Sequence, residues 1–217
     1  MALAAAACSL VGLGCARTEA APAAPASPLA DDAPVSARME TAVFAGGCFW
    51  SMEKVFDGVR GVQRAVSGFS GGTTVNPSYE STFTNPAGHI EAVQVVFDPA
   101  VISYETLVRL FWHNVDPTAT DRQFCDQGPT YRAAIFPQTA AQTRVAQASL
   151  RQVSARMSRP VVATVRRAAP FYAAEATHQD FARRNPDRYE QYRRGCRRDV
   201  RLRELWGDAA GTAGSRI

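Results

Sequence analysis

Between residues 41 and 165 the chain alternates short apolar runs with helical patterns, and the order of that alternation limits the fold more tightly than any other feature of the sequence. A strand at 41–45 runs into Gly46-Gly47, and a helix from Cys48 to about Asp57 carries Phe49, Met52 and Phe56 at helical spacing. A second strand at 62–69 stops at Ser70-Gly71-Gly72. A loop holding Asn76-Pro77 and Asn85-Pro86 leads to a third strand at 89–97, ended by Asp98-Pro99. Ser103 reads as the N-cap of a helix bearing Leu107, Leu110, Phe111 and Asn114. A strand at 131–136, a helix at 139–156 and a strand at 161–165 follow. Strand, helix, strand, strand, helix, strand, with one extra helix and strand, predicts an α+β protein. Its form is a ferredoxin-like α/β sandwich, a mostly antiparallel sheet with helices packed against it. Beyond Pro170 the pattern predicts a helix at 173–184 and then an irregular C-terminal tail.

The 217 residues suffice for one substantial core, expected over 39–207, with a disordered tail at 208–217. Residues 1–16 are an Ala/Leu/Val-rich run too short for a stable bilayer anchor. They resemble an export signal, and Leu13-Gly14-Cys15 resembles a lipoprotein site. A cell-envelope or periplasmic location is therefore expected, with a lipid anchor at Cys15 as one outcome; cleavage elsewhere and a mis-started, cytoplasmic N-terminus are the others. Residues 17–38 are Ala/Pro/Ser-rich and read as a flexible linker. The net charge of +4 comes from arginines clustered between Arg183 and Arg203. They are interleaved with Asp187, Glu190, Asp199 and Glu204, so they read as a solvated, ion-paired surface rather than a nucleic-acid site. Weak steering of an acidic redox partner is the secondary reading.

Five irregularly spaced cysteines make neither a disulfide scaffold nor a zinc site, and no metal or bound cofactor is expected. Cys8 and Cys15 fall in the N-terminal tract, leaving Cys48, Cys125 and Cys196 for the folded part. Cys48 stands where a buried strand turns through two glycines into a helix. Backbone N–H groups at that helix start are expected to lower its pKa and make it nucleophilic. Gly46 and Gly47 leave room for a substrate to approach. On local context alone, an inert buried thiol is an equal alternative. Along 89–97, strand alternation puts Glu91 on one side with Val93, Val95 and Phe97, opposite Ile90, Ala92, Gln94 and Val96. A carboxyl at the end of an apolar row would be desolvated, which raises its pKa and keeps the acid form available; on the residues alone, a rim glutamate paired with an arginine is the favoured reading. Glu175 and His178 sit three apart in the expected helix; His178 reads as a tie between the C-terminal segment and the core rather than a metal ligand.

The string Gly46-Gly47-Cys48-Phe49-Trp50 resembles the active-site motif of A-type peptide methionine sulfoxide reductases. Further resemblance lies in Asn76-Pro77-Ser78-Tyr79, in Gly88 through Val93, in Asp126 through Tyr131-Arg132, and in His178-Gln179-Asp180, together spanning about 41–207. Phe83 departs from the family, many of whose members carry a cysteine there. The resemblance implies Cys48 as the nucleophile, Gly47, Phe49 and Trp50 around the substrate's methyl group, and Glu91, Tyr79 and Tyr131 around the sulfoxide oxygen, with Asp126 supporting them. His89 is expected beside Glu91 at the substrate site, as a hydrogen-bonding structural residue, with a catalytic acid/base as the alternative. A sulfoxide oxygen leaves only if protonated or strongly hydrogen-bonded, so a donor beside the thiolate is a chemical requirement. Attack by Cys48 leaves a sulfenic acid that another thiol resolves to a disulfide. Cys196 is the first candidate for that thiol, because the resemblance places recycling cysteines in the C-terminal segment, and Cys125 competes with it.

The implied activity is reduction of methionine S-sulfoxide, in oxidised proteins or as the free amino acid, by an enzyme expected as a monomer and recycled by a thioredoxin-like reductant. Peroxide reduction at Cys48 and simple recognition of oxidised methionine are the rival readings.

Overall fold

The computed structural model describes residues 39–84 and 87–213. The export segment, the Cys15 anchor site and the linker expected within 1–38 lie outside the described residues, as do Asn85-Pro86.

In chain order the elements are β1 (Glu40–Gly46), α1 (Phe49–Phe56), β2 (Val62–Ser70), α2 (Tyr79–Thr84), β3 (Ile90–Phe97), α3 (Tyr104–Trp112), β4 (Arg122–Gln123), β5 (Asp126–Gln127), β6 (Ala133–Phe136), α4 (Ala140–Arg156), β7 (Thr164–Val165), β8 (Phe171–Ala173), α5 (Phe181–Arg184), α6 (Pro186–Gly195) and α7 (Arg198–Trp206). One sheet runs β7-β6-β1-β3-β2-β8, and β4-β5 form a separate small hairpin. All pairs in the main sheet are antiparallel except β6-β7. The inner order β6-β1-β3-β2 is the arrangement expected of a β-α-β-β-α-β chain.

Alternation along the strands sorts the core. Ala42, Phe44, Phe69, Val93, Val95, Phe97 and Ile135 face α1 and α3, while Val43, Ala45, Ile90, Ala92 and Phe136 form a smaller cluster against Ala169 and Phe171. Phe44 joins the layers: its ring stacks on Phe56, Phe111 and Tyr104 at 5.0, 5.4 and 6.0 Å. Burying one such side chain contributes roughly 1.5–3 kcal/mol. Ser103 caps α3 as predicted, its side chain accepting from the Thr106 N–H at 3.1 Å.

Three expectations beyond the inner sheet are corrected. Residues 173–184 do not form one helix. Residues 171–173 pair with β2 instead, with Ala173 opposite Gly68, where a Cβ would lie 2.2 Å from the Tyr172 carbonyl oxygen. Helix begins only after Asp180, whose φ of +54° breaks the run. The irregular tail is in fact α6 and α7. Pro186 opens α6, and Arg198, Leu202 and Trp206, four residues apart, turn one buried stripe of α7 to the core. The Trp206 indole N–H donates to the Val115 carbonyl at 3.0 Å. Finally, residues 208–213 are ordered against α3: Gly211 N–H donates to the His113 carbonyl at 2.9 Å and Arg109 Nε to the Ala213 carbonyl at 3.3 Å. The rest of the expected disordered tail, 214–217, lies outside the described residues.

Candidate active site

Cys48 is the N-cap of α1, and its carbonyl accepts from the Ser51 and Met52 N–H groups at 3.0 and 3.3 Å. Gly47 before it has φ +81°, and a Cβ there would meet Gln123 Cβ at 2.4 Å. Glycine is thus required both for the turn and for the close approach of the β4-β5 hairpin. Gln123 fixes that hairpin by accepting from Asp116 N–H at 3.0 Å and donating to the Asp116 carbonyl at 2.8 Å. The result sets Asp126, at the start of β5, near the thiol.

Glu91 arrives from the sheet. It is paired with Phe69 across β3-β2 and is 1% exposed on the face of Val93, Val95 and Phe97, as the alternation predicted. Its Oε2 accepts from the Phe49 N–H at 2.8 Å, locking the carboxyl against the first turn of α1. Burial dominates its titration: desolvation pushes Glu91 up to about 8, opposed by the Phe49 hydrogen bond. At neutral pH it is mostly a neutral acid, with its second oxygen free of the Phe49 contact.

Cys48 departs from expectation. The helix start was expected to lower its pKa, and the Trp50 backbone and the Tyr192 hydroxyl do pull in that direction. Desolvation outweighs them, and the charges of Glu91 and Asp126 add to it, so the thiol is pushed far up. At 7% exposure the sulfur is too dry, and too close to two carboxyls, for a helix end carrying about half a charge to prevail. At rest Cys48 is therefore a thiol.

Tyr79 and Tyr131 meet at the same place. Their hydroxyls act electrostatically on each other, and both are raised by burial and then by Glu91. Phe83, 44% exposed, packs its ring against both, at 4.8 and 5.8 Å. Phe49 is wholly buried against Phe69, Tyr79 and His178. Trp50 is only half-buried, stacked flat on Phe181 at 3.6 Å, and its indole N–H donates to His178 Nδ1 at 3.3 Å. His178 stacks on Tyr79 at 4.4 Å and is lowered by burial, so it accepts as a neutral ring. It ties the C-terminal segment to the core from a turn, not a helix, and Glu175 accepts from the Tyr79 N–H at 2.9 Å. His89 stands apart from this group. Its Nδ1 accepts from the Gly72 N–H at 3.3 Å and its Nε2 donates to the Thr74 carbonyl at 2.8 Å, so both ring nitrogens hold the loop before α2.

Three groups near Cys48 escaped the sequence reading. Tyr192 donates to Asp126 Oδ2 at 2.5 Å, and its hydroxyl acts electrostatically on the Cys48 thiol. Arg198 was read as part of a solvated cluster but is 1% exposed, stacked over Phe124 at 4.3 Å and donating to the Asn114 carbonyl at 2.7 Å. Its charge couples to Cys48 and Asp126. Glu53, buried on α1, accepts from Ser67 Oγ at 3.1 Å and from the Asp180 N–H at 3.0 Å, which fixes the turn carrying His178. Other arginines of the cluster do pair as expected, Arg193 with Asp199 and Arg201 with Asp116 and Glu204.

Cys125 and Cys196, alternatives in the sequence, are bonded to each other, with Cα atoms 4.9 Å apart. Cys125 is exposed at the turn of the β4-β5 hairpin, and Cys196 caps the end of α6. Cys48 is left as a free thiol.

A family model described as peptide methionine sulfoxide reductase matches residues 40–210. The Bacillus velezensis peptide methionine sulfoxide reductase MsrA is 46% identical over 176 residues, covering 80% of this chain and 99% of its own length. The MsrA 2 protein of Caulobacter vibrioides is 46% identical over 171 residues, covering 78% of this chain and 87% of its own. Among solved structures, methionine sulfoxide reductase A of Corynebacterium diphtheriae superposes with a TM-score of 0.62 at 32% identity, covering 68% of this chain and 76% of that one. With its helix-starting cysteine facing a buried carboxyl on the sheet, the chain belongs to the peptide methionine sulfoxide reductase family.

Proposed function

We propose that the chain reduces methionine S-sulfoxide, in proteins and as the free amino acid, with Cys48 as nucleophile and the Cys125–Cys196 disulfide as the point where reducing electrons enter. The observation that carries this reading is Glu91, a carboxyl kept mostly protonated at neutral pH and clamped by the Phe49 N–H beside the Cys48 thiol. A sulfoxide needs that pairing, because its oxygen leaves sulfur only as it gains a proton.

Cys48 Sγ bonds to the sulfoxide sulfur while Glu91 gives its proton to the oxygen. The thiol's own proton has a route through the Tyr192 hydroxyl to Asp126, whose pKa burial has raised toward that of a usable base. Tyr79 and Tyr131 offer hydroxyls to the same oxygen, and Trp50 presents the apolar wall for the methyl group. The oxygen ends on Cys48 as S–OH and methionine departs, so the substrate sulfur gains the two electrons that Cys48 loses.

Cys196 lies in sequence between Tyr192 and Arg198, both of which act electrostatically on Cys48. Its thiol attacks the sulfenic acid, forming Cys48–Cys196 and releasing water. Cys125 then attacks Cys196, giving the observed Cys125–Cys196 bond and returning Cys48 as a thiol. A thioredoxin-like dithiol reduces that disulfide.

Turnover of the separate S and R epimers with dithiothreitol tests the reading. Wild type should reduce the S epimer alone, and Cys48→Ser neither. Faster oxidation of Cys48 by peroxide than turnover of any sulfoxide would replace it with peroxide chemistry, and binding without turnover would leave a recognition domain. An envelope location is proposed on the composition of residues 1–38, and fractionation of cells expressing the full chain tests it.

A further inference from the structure

Phe83, where the chain departs from its family, takes no part in the chemistry above, yet its ring lies against both tyrosines of the site. It follows Tyr79 by four residues on α2, so the two side chains share a helix face. Its ring centroid is 4.8 Å from that of Tyr79 and 5.8 Å from that of Tyr131. Both tyrosine hydroxyls feel the charges of Glu91 and Cys48, so an aromatic strip runs from the reacting atoms outward to Phe83. At 44% exposure Phe83 leaves much of its ring to solvent. A lone exposed ring is ordinary on a protein surface. This one is neither alone nor loosely held. The Tyr79 N–H donates to Glu175 at 2.9 Å, the Thr82 hydroxyl to the Ser78 carbonyl at 2.9 Å, and the Thr130 hydroxyl to the Thr82 carbonyl at 3.5 Å, which ties α2 to the segments on either side.

We propose that Phe83 is a specificity-determining residue, an apolar shelf at the rim of the site that receives the side chain next to the oxidised methionine in a peptide and favours an aliphatic neighbour over a small polar one. This rests on the functional reading above, in which the sulfoxide lies between Cys48 and the two tyrosines. With the oxygen at the tyrosine hydroxyls, the peptide backbone leaves the site past the rings of the same residues. Successive Cα atoms are about 3.8 Å apart, a step comparable with the spacing of Phe83 from the tyrosines, so a flanking side chain is carried over the Phe83 ring. Removing apolar surface of both from water favours the contact, and a shelf already fixed in place loses little entropy in making it. The free amino acid has no flanking side chain and gains nothing there.

The test is dithiothreitol-driven turnover, by the full chain, of two capped tripeptides that carry methionine S-sulfoxide between leucines or between serines. An enclosed apolar pocket discriminates roughly 10- to 200-fold per methylene, and an open shelf covers only one side of its guest, so the wild-type kcat/KM should favour leucine by about fivefold, mainly through KM. Phe83→Ser should erase that preference, and Phe83→Leu should keep most of it. A loosened tyrosine pair would slow both peptides alike, so the ratio reads the shelf and not the packing. A wild type without preference for leucine, or a preference that Phe83→Ser leaves intact, overturns the assignment. A wild type inactive on both peptides and on free methionine S-sulfoxide overturns the functional reading instead.

Discussion

The Tyr192 hydroxyl donates to Asp126 Oδ2 at 2.5 Å, joining α6 to the β4-β5 hairpin across 66 positions of sequence, and the same hydroxyl acts electrostatically on Cys48. One turn further on, the Cys196 N–H donates to the Tyr192 carbonyl at 2.9 Å. The residue bonded to Asp126 thus sits on the helical turn that carries Cys196, the cysteine proposed to resolve the sulfenic acid. Tyr192→Phe keeps the ring and deletes the bridge. Hydrogen bonds to charged groups contribute about 1.5–3 kcal/mol, so turnover with dithiothreitol should fall roughly 10- to 100-fold. Single-turnover quench kinetics should place the loss in methionine release rather than in disulfide reduction. Wild-type rates in that step would remove Tyr192 from the proton route.

Glu91 sets the pH response in two separable ways. In the proposed reaction its acid form is the proton donor, so the rate of sulfoxide reduction should decline as pH rises through about 8. Stability follows the same proton. The folded pKa is raised from the model-compound value of 4.5, so the contribution is fully present below 4.5 and is lost progressively up to about 8. Glu91→Gln cannot ionise. It should be nearly inactive, yet more stable than wild type at pH 8 by an amount on the order of a few kcal/mol, and the gap should close near pH 4. Glu53 is also raised by burial and titrates in the same direction, so the difference between wild type and Glu91→Gln isolates residue 91 in urea titrations across pH. Parallel stability curves would show that Glu91 is not buried as an acid.

The relay distinguishes the two surface cysteines by what accumulates. In Cys125→Ser, a single turnover should stop at Cys48–Cys196, detected as a linked peptide pair under non-reducing digestion. In Cys196→Ser, the Cys48 sulfenic acid should persist long enough to be trapped by dimedone, and thioredoxin-supported turnover should be lost while dithiothreitol sustains it. Equal loss with both reductants would remove Cys196 from resolution. The wild-type disulfide closes a loop of 71 residues. In the chain-entropy account its reduction should cost about 4 kcal/mol of stability, read as a shift of the unfolding midpoint.

The sheet and the face on which Glu91 lies were legible because strand alternation is a period of two, but alternation alone did not separate a buried acid from a rim glutamate paired with an arginine; the resemblance did that. Cys48 was legible by its place between two glycines and a helix, but its proton affinity was not. The helix end is written in the local sequence, whereas the two carboxyls that oppose it come from β3 and β5, far away along the chain. The C-terminal helices were missed because α6 and α7 bury few apolar side chains, Tyr189 on one and Leu202 and Trp206 on the other. Arginines fill the remaining positions, and a run of alternating charge reads as solvated surface. The i, i+4, i+8 spacing of Arg198, Leu202 and Trp206 was the signal available, and it required treating an arginine as a core residue.

Arg198 also carries a prediction in which stability and activity part. Its Nε and Nη1 groups are buried with no hydrogen-bond partner, so the fold bears the desolvation of a guanidinium that is only partly compensated by the Asn114 carbonyl and the Phe124 ring. Arg198→Met keeps the stem and its contacts and removes the charge. Replacing an incompletely paired buried ion by an apolar side chain of similar length is often neutral or stabilising, so the thermal midpoint should hold or rise. Cys48 and Asp126 lose a cation coupled to both. Each should then bind its proton more tightly, and the pH at which iodoacetamide alkylates Cys48 should move upward together with the acidic limb of turnover. Arg198→Lys restores a charge without the planar stack on Phe124 and should recover part of the shift. If Arg198→Met melts at a much lower temperature while its alkylation profile is unchanged, the guanidinium serves packing alone and the thiol's electrostatics must be assigned to Tyr192 and the helix start.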